Sequence, residues 1–173
     1  MSRQDKNYLH LALEDFDEAI KHSEGQKKEY LSNQGACQVE LSNCNLALAD
    51  FNQALELDLN YANVYLNRSI IFNRLNQKSA AVNDLTSYLS INRSDHKIWY
   101  ECSRLQWQLS KHNQAVQSIN NALSLDNNKK EYYHQRARIY SSSNQINLAN
   151  KDLKQIELIE KMESESPEQL SIR

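Results

Sequence analysis

The feature that most constrains this chain is a 34-residue period. The stretch Ala47-Leu48-Ala49-Asp50-Phe51, continued by Ala54-Leu55, returns as Ala81-Val82-Asn83-Asp84-Leu85 with Tyr88-Leu89. It returns again as Ala115-Val116-Gln117-Ser118-Ile119 with Ala122-Leu123, and then as Ala149, Asp152, Leu153 and Ile156. A fixed period of this length marks an array of supersecondary units, each too small to bury its own apolar face. Such arrays work as binding surfaces, which turns the functional reading toward partners and away from chemistry.

Composition narrows the fold. Two glycines and one proline in 173 residues leave almost no turn punctuation, which argues against an all-β fold. A mean hydropathy of −0.77 with 40% apolar residues suits helices with many solvated faces. The net charge of −2 provides no global field for DNA, RNA or an anionic membrane. The densest apolar run, Ile70-Ile71-Phe72, falls far short of the ~20 residues of a membrane span. Three cysteines without a CxxC spacing, and an N-terminus without an apolar leader core, predict reduced thiols and a cytoplasmic chain.

Each unit divides into two helical patterns. In the second unit, Val64, Tyr65, Ser69 and Phe72 recur at near-helical spacing, Leu75-Asn76-Gln77-Lys78-Ser79 interrupts them, and Ala81, Leu85, Tyr88 and Leu89 form a second apolar face. Polar connectors such as Ser110-Lys111-His112-Asn113 and Ser142-Ser143-Asn144-Gln145 fall where helix hairpins turn. Asn60, Asp95 and Asn128 are the expected N-caps of succeeding units.

These units resemble the tetratricopeptide repeat, over nearly the whole chain. That family places small residues at positions eight, twenty and twenty-seven of a unit and a large apolar residue at position twenty-four. The first unit has Gly35, Ala47, Phe51 and Ala54; the second has Ser69, Ala81 and Leu85, with Tyr88 last. The third has Ser103, Ala115, Ile119 and Ala122, and the fourth Ala137, Ala149, Leu153 and Ile156. Leu59, Arg93 and Asn127 stand where the family carries a proline. The resemblance implies an all-α fold, an α-solenoid of tetratricopeptide-type helix hairpins. Small residues let paired helices approach, and larger ones fill the remaining gap.

The expected organisation is an N-terminal half repeat at 1–27, four repeats at 28–161 and a polar tail at 162–173. Ala12-Leu13-Glu14-Asp15-Phe16-Asp17-Glu18-Ala19-Ile20 copies the second-helix pattern of Ala47 to Leu55, so residues 4–22 read as one helix packed on the first full unit.

The repeats also permit an internal comparison. Positions seven and twenty-three are Arg68 and Asp84, Cys102 and Ser118, Arg136 and Asp152, and in the first unit Gln34 and Asp50. Opposite charges go together, and small uncharged residues go together. The pattern predicts an ion pair or hydrogen bond between the two helices of a unit, with Asp50 reaching either Gln34 or Arg68.

Nothing in the chain reads as catalytic. Two glycines cannot build a phosphate loop or dinucleotide fingerprint, and Ser110-Lys111-His112 is a hairpin loop. Cys37 and Cys44 are seven apart with no further ligand at metal spacing and read as apolar filler, so no metal or cofactor is expected. The resemblance implies instead a concave face on the first helix of each unit. Leu66, Asn67, Ile70 and Arg74 fall on it in the second unit, Lys97, Tyr100, Arg104 and Trp107 in the third, and His134 and Arg138 in the fourth. Leu66, Ile70, Tyr100 and Trp107 would form an apolar strip with the arginines at its margins, the composition of a protein-binding hot spot. Some members of the family grip chaperone C-termini with a carboxylate clamp. Asn67 and Lys97 fit that clamp, but Ser32, Ala36 and Glu101 do not, which argues against it. The expected function is a non-catalytic adaptor or assembly factor holding a peptide or helix of another protein. The alternative is a structural subunit or homo-oligomer using its exposed terminal helices.

Overall fold

The computed structural model describes residues 3–22 and 25–164. Among these residues there are nine α-helices: α1 (Arg3–His22), α2 (Lys27–Glu40), α3 (Cys44–Leu57), α4 (Ala62–Arg74), α5 (Lys78–Ile91), α6 (His96–Gln108), α7 (His112–Leu125), α8 (Lys130–Ser142) and α9 (Ile146–Ser164). They fall into two compact units, Met1–Asn92 and Arg93–Arg173. The first holds α1 and the pairs α2–α3 and α4–α5. The second holds the pairs α6–α7 and α8–α9. The fold is an all-α helical-repeat solenoid.

The period is written into the backbone. Ser42, Asn76, Ser110 and Asn144, 34 residues apart, have φ of 65°, 57°, 58° and 59°. Each joins the two helices of a pair in the left-handed conformation that ends a helix sharply. No glycine occupies these turns. Asparagine tolerates the conformation through its short polar side chain, whereas serine carries the full Cβ penalty.

In the first unit the core is Leu31, Ala47, Phe51, Ala54, Leu55, Val64 and Ile71. Phe51 lies on Gly35 so closely that a Cβ there would stand 2.6 Å from Cε1 of the ring. Position eight of this pair must be glycine because position twenty-four is phenylalanine. The smaller Leu85 and Ile119 leave room for Ser69 and Ser103, all four of them buried. In the second unit the core is Ala115, Ile119, Ala122, Leu123, Tyr132 and Ile139. Full burial of an Ile or Phe side chain contributes about 1.5–3 kcal/mol, so each pair is held chiefly by a few such residues.

Three local expectations are corrected. Asp95 caps α6, accepting from the backbone N–H groups of Lys97 and Ile98, but Tyr61 and Lys129 occupy the cap positions of α4 and α8. Asn60 and Asn128 lie one residue earlier and donate their backbone N–H to Asp58 and Asp126. These carboxylates shape the turn where the family has proline. Second, Leu153 is 44% exposed although Phe51, Leu85 and Ile119 at the same position are buried, because no described helix follows α9 to cover it. Third, α9 continues to Ser164, three residues beyond the fourth unit as read from sequence. Residues 165–173 lie outside the described part of the chain.

Candidate partner-binding surface

The geometry of the repeat is clearest at the charged positions between helices. Arg68 on α4 donates from Nε and Nη2 to the two carboxylate oxygens of Asp84 on α5, at 2.7 and 2.6 Å. Its Nη1 donates to Oδ1 of Asn52 on α3 at 2.7 Å. Arg136 does the same in the second unit, to Asp152 at 2.9 and 2.6 Å and to Asn120 at 2.7 Å. Asp84 and Asp152 are 4% exposed, so each carboxylate is buried with its partner. The aspartate beside each guanidinium raises its already high pKa. Sequence reasoning missed Asn52 and Asn120. Their spacing of 68 residues, two periods, is the signal that marks them.

The other two comparisons resolve differently. Ser118 donates its hydroxyl to Oε1 of Gln106 within α6–α7. Gln34 turns away from Asp50 and donates to Asp17 on α1 at 2.5 Å. Among the described residues Arg68 pairs with Asp84 and Asn52 and makes no bond to Asp50. Asp50 Oδ2 is buried without a partner. Burial, and to a lesser extent Asp17, push the Asp50 carboxyl up to about 6.

On the first unit, α4 presents Ile70, 44% exposed, with Asn73 and Arg74 also exposed, while Leu66 and Asn67 are half-buried. On the second unit, α6 and α8 supply the remaining residues. Tyr100 packs on Tyr132 with ring centroids 5.0 Å apart. Tyr132 is 2.6 Å from His96 Nδ1 through its hydroxyl, and burial pushes that phenol up to about 12. Trp107 donates from Nε1 to Ser142 Oγ at 3.1 Å, and Arg138 lies over its ring at 5.3 Å. Trp107 is therefore not an open apolar anchor. It is half-buried between α6 and α8 and covered by a cation. Arg104 lies 5.9 Å from the Tyr100 ring and bonds Glu101 at 2.8 and 2.9 Å. Lys97, Arg104, His134 and Arg138 are exposed. The surface they make is an aromatic floor carrying cations, with Glu101 and Glu131 among them. Gln135 on α8 is buried, its Nε2 without a partner.

Ser110, Lys111 and His112 line an open cavity of about 490 Å³. His112 Nδ1 is 3.2 Å from Ser142 Oγ, but that hydroxyl donates to the Ile139 carbonyl and accepts from Trp107. This is a helix-end packing arrangement. Cys102 is buried, and Cys37 and Cys44 are half-buried. Among the described residues no three His, Cys, Asp or Glu side chains group as a metal would need, and no described helix is long and apolar enough to cross a membrane.

A family model described as the tetratricopeptide repeat matches residues 96–129, which is α6–α7 with its flanking turns. The α6–α7 pair is thus a tetratricopeptide repeat. No curated protein matches the chain by sequence. Among solved structures, the crystal structure of MamA superposes with a TM-score of 0.77 at 16% identity, over 95% of both chains. A tetratricopeptide repeat protein from Parabacteroides merdae ATCC 43184 gives 0.76 at 20% identity, over 93% of this chain and 63% of that one. YrrB, described as a tetratricopeptide repeat protein with an unusual peptide-binding site, gives 0.75 at 15% identity, over 90% and 80%. At these identities the similarity is one of fold.

Proposed function

We propose that this protein is a non-catalytic, cytoplasmic adaptor or assembly factor. It holds a peptide or helix of another protein against the faces of its first helices. The observation that carries the reading is the surface of α6 and α8, where Lys97, Arg104, His134 and Arg138 stand exposed over Tyr100 and Trp107. An exposed arginine beside an aromatic ring offers a cation for an acidic group next to an apolar face, and both residue types are over-represented among interface hot spots. The peptide-binding site named for YrrB lends the reading support from the same fold. A segment with an apolar stripe and a few carboxylates suits the surface. Its carboxylates would draw Arg138 and Arg104 off the rings, leaving the rings to take the apolar stripe.

The chain has two tryptophans, so a Trp99→Phe variant leaves Trp107 as the reporter. Stapled helical peptides with one apolar stripe and either glutamate or lysine flanks are titrated against it. The glutamate series should shift Trp107 emission with saturation, and the lysine series should not. Equal responses, or none, would remove the surface from consideration.

A further inference from the structure

The repeat offers a second comparison, at α1. Offset by 35 residues, Ala12, Asp15, Phe16 and Ala19 of α1 stand where Ala47, Asp50, Phe51 and Ala54 stand on α3. The α3 set buries its apolar members completely, at 0% exposure for Ala47, Phe51 and Ala54, because the first helix of its pair, α2, lies over them. Among the described helices α1 packs on α2 alone. Accordingly Ala12, Phe16 and Ala19 are only half-buried, Phe16 resting 6.4 Å from the Tyr30 ring, and Tyr8 and Leu11 beside them are 62% and 50% exposed. Asp15 is exposed and has no partner among the described residues. At the same position of later pairs, Asp84 and Asp152 each take a bidentate arginine from the first helix of their own pair.

We propose that the open face of α1 is a docking site for an amphipathic helix of a different protein, which takes the place of a first helix and brings an arginine to Asp15. The residue after that arginine is small, because it lies on Phe16 as Ser69 and Ala137 lie within their own pairs. Charge selects against a second copy of this chain. Residues 14–18 of α1 hold four acids in five positions, Glu14, Asp15, Asp17 and Glu18. A two-fold contact between copies of α1 would set them against one another. The proposal is independent of the α6–α8 surface, since no residue is common to the two.

The probe is a fluorescent peptide copying Lys130–Ser142, which carries the Arg136-Ala137 pair, stapled on its solvent face. Binding to the 173-residue chain is read by anisotropy. Asp15→Lys should weaken it by at least about tenfold, and a peptide carrying Arg136→Glu should recover most of that loss on the Asp15→Lys chain. A thermal melt of Asp15→Lys matching the parent establishes that the exposed change leaves the fold intact. Arg104→Glu with Arg138→Glu should not alter this binding, which separates its outcome from that of the proposed function. Absence of binding, insensitivity to Asp15→Lys, or failure of the swapped pair would overturn the proposal. So would sedimentation of the chain as a dimer that Asp15→Lys dissociates, because the occupant would then be a second copy.

Discussion

Arg68 and Asp84 meet through two parallel hydrogen bonds of 2.7 and 2.6 Å across the α4–α5 pair. Side-chain exposures of 18% and 5% place the pair largely out of water. A buried charge is tolerated only with its partner, and removing one side leaves the other uncompensated. Asp84→Ala should therefore cost about 3–5 kcal/mol, whereas Arg68→Met with Asp84→Leu should cost much less. Chemical denaturation of the two variants checks this, and equal losses would count against a coupled pair.

Asp50 is the same position without its arginine. Its carboxyl titrates near 6 in the folded chain, raised by burial and then by Asp17, against about 3.9 unfolded. Between those values the folded state binds the extra proton, so the Asp50 contribution to stability rises as pH falls through 6 and levels off below about 4. Above 6 the buried charge is a liability. Asp50→Asn should be more stable than the parent at pH 8 by about 1 kcal/mol, a figure reduced for the group's partial exposure. That advantage should disappear near pH 4. A constant difference across the range would contradict the assignment.

Gln34→Arg should restore the missing member. An arginine there would face Asp17 and Asp50 as Arg68 faces Asn52 and Asp84. Melting temperature at pH 7 should rise, and the pH dependence attributed to Asp50 should shrink. A lower melting temperature would mean that the α1–α2–α3 junction has no room for the guanidinium.

Ser42 and Ser110 hold a left-handed conformation that costs an L-residue roughly 1–2 kcal/mol and glycine nothing. Ser110→Gly should stabilise the second unit by about 0.5–1 kcal/mol after the added freedom of the unfolded chain is subtracted. Ser110→Val should do the reverse. The order of their denaturation midpoints decides.

Much of this fold was legible in the 34-residue period. The resemblance to the tetratricopeptide repeat implied that Gly35, Ser69, Ser103 and Ala137, and likewise Ala47, Ala81, Ala115 and Ala149, lie at helix–helix contacts, and all of them are buried. The Arg68–Asp84 and Arg136–Asp152 pairs follow from charge covariation between units. Asn52 and Asn120 did not, because their bonds run to the following helix pair and depend on how pairs stagger. The same cause hid the packing of Trp107. Helical spacing puts Tyr100 and Trp107 on one side of α6, but only the position of α8 shows Ser142 and Arg138 covering the indole. Leu153 and Phe16 are exceptions to their register because burial depends on a neighbouring helix as well as on the residue.

Trp107→Ala therefore tests packing as much as binding. It should lower stability by roughly 1–2 kcal/mol, less than the ~3–5 of a fully buried indole. Arg138→Glu, at an exposed position, should leave the melt within about 0.5 kcal/mol of the parent. A denaturation series on both variants shows whether the surface can be altered without the core.

The central claim is that a partner segment lies on the first helices. Its most direct test is a ¹H–¹⁵N correlation spectrum of the labelled chain, recorded with and without the glutamate-flanked stapled peptide. The account predicts that the largest shifts fall on Lys97, Tyr100, Arg104, Trp107, His134 and Arg138, with the indole signal of Trp107 moving as Arg138 is drawn away. Shifts confined to α7 and α9, or no saturable shifts at all, would contradict it.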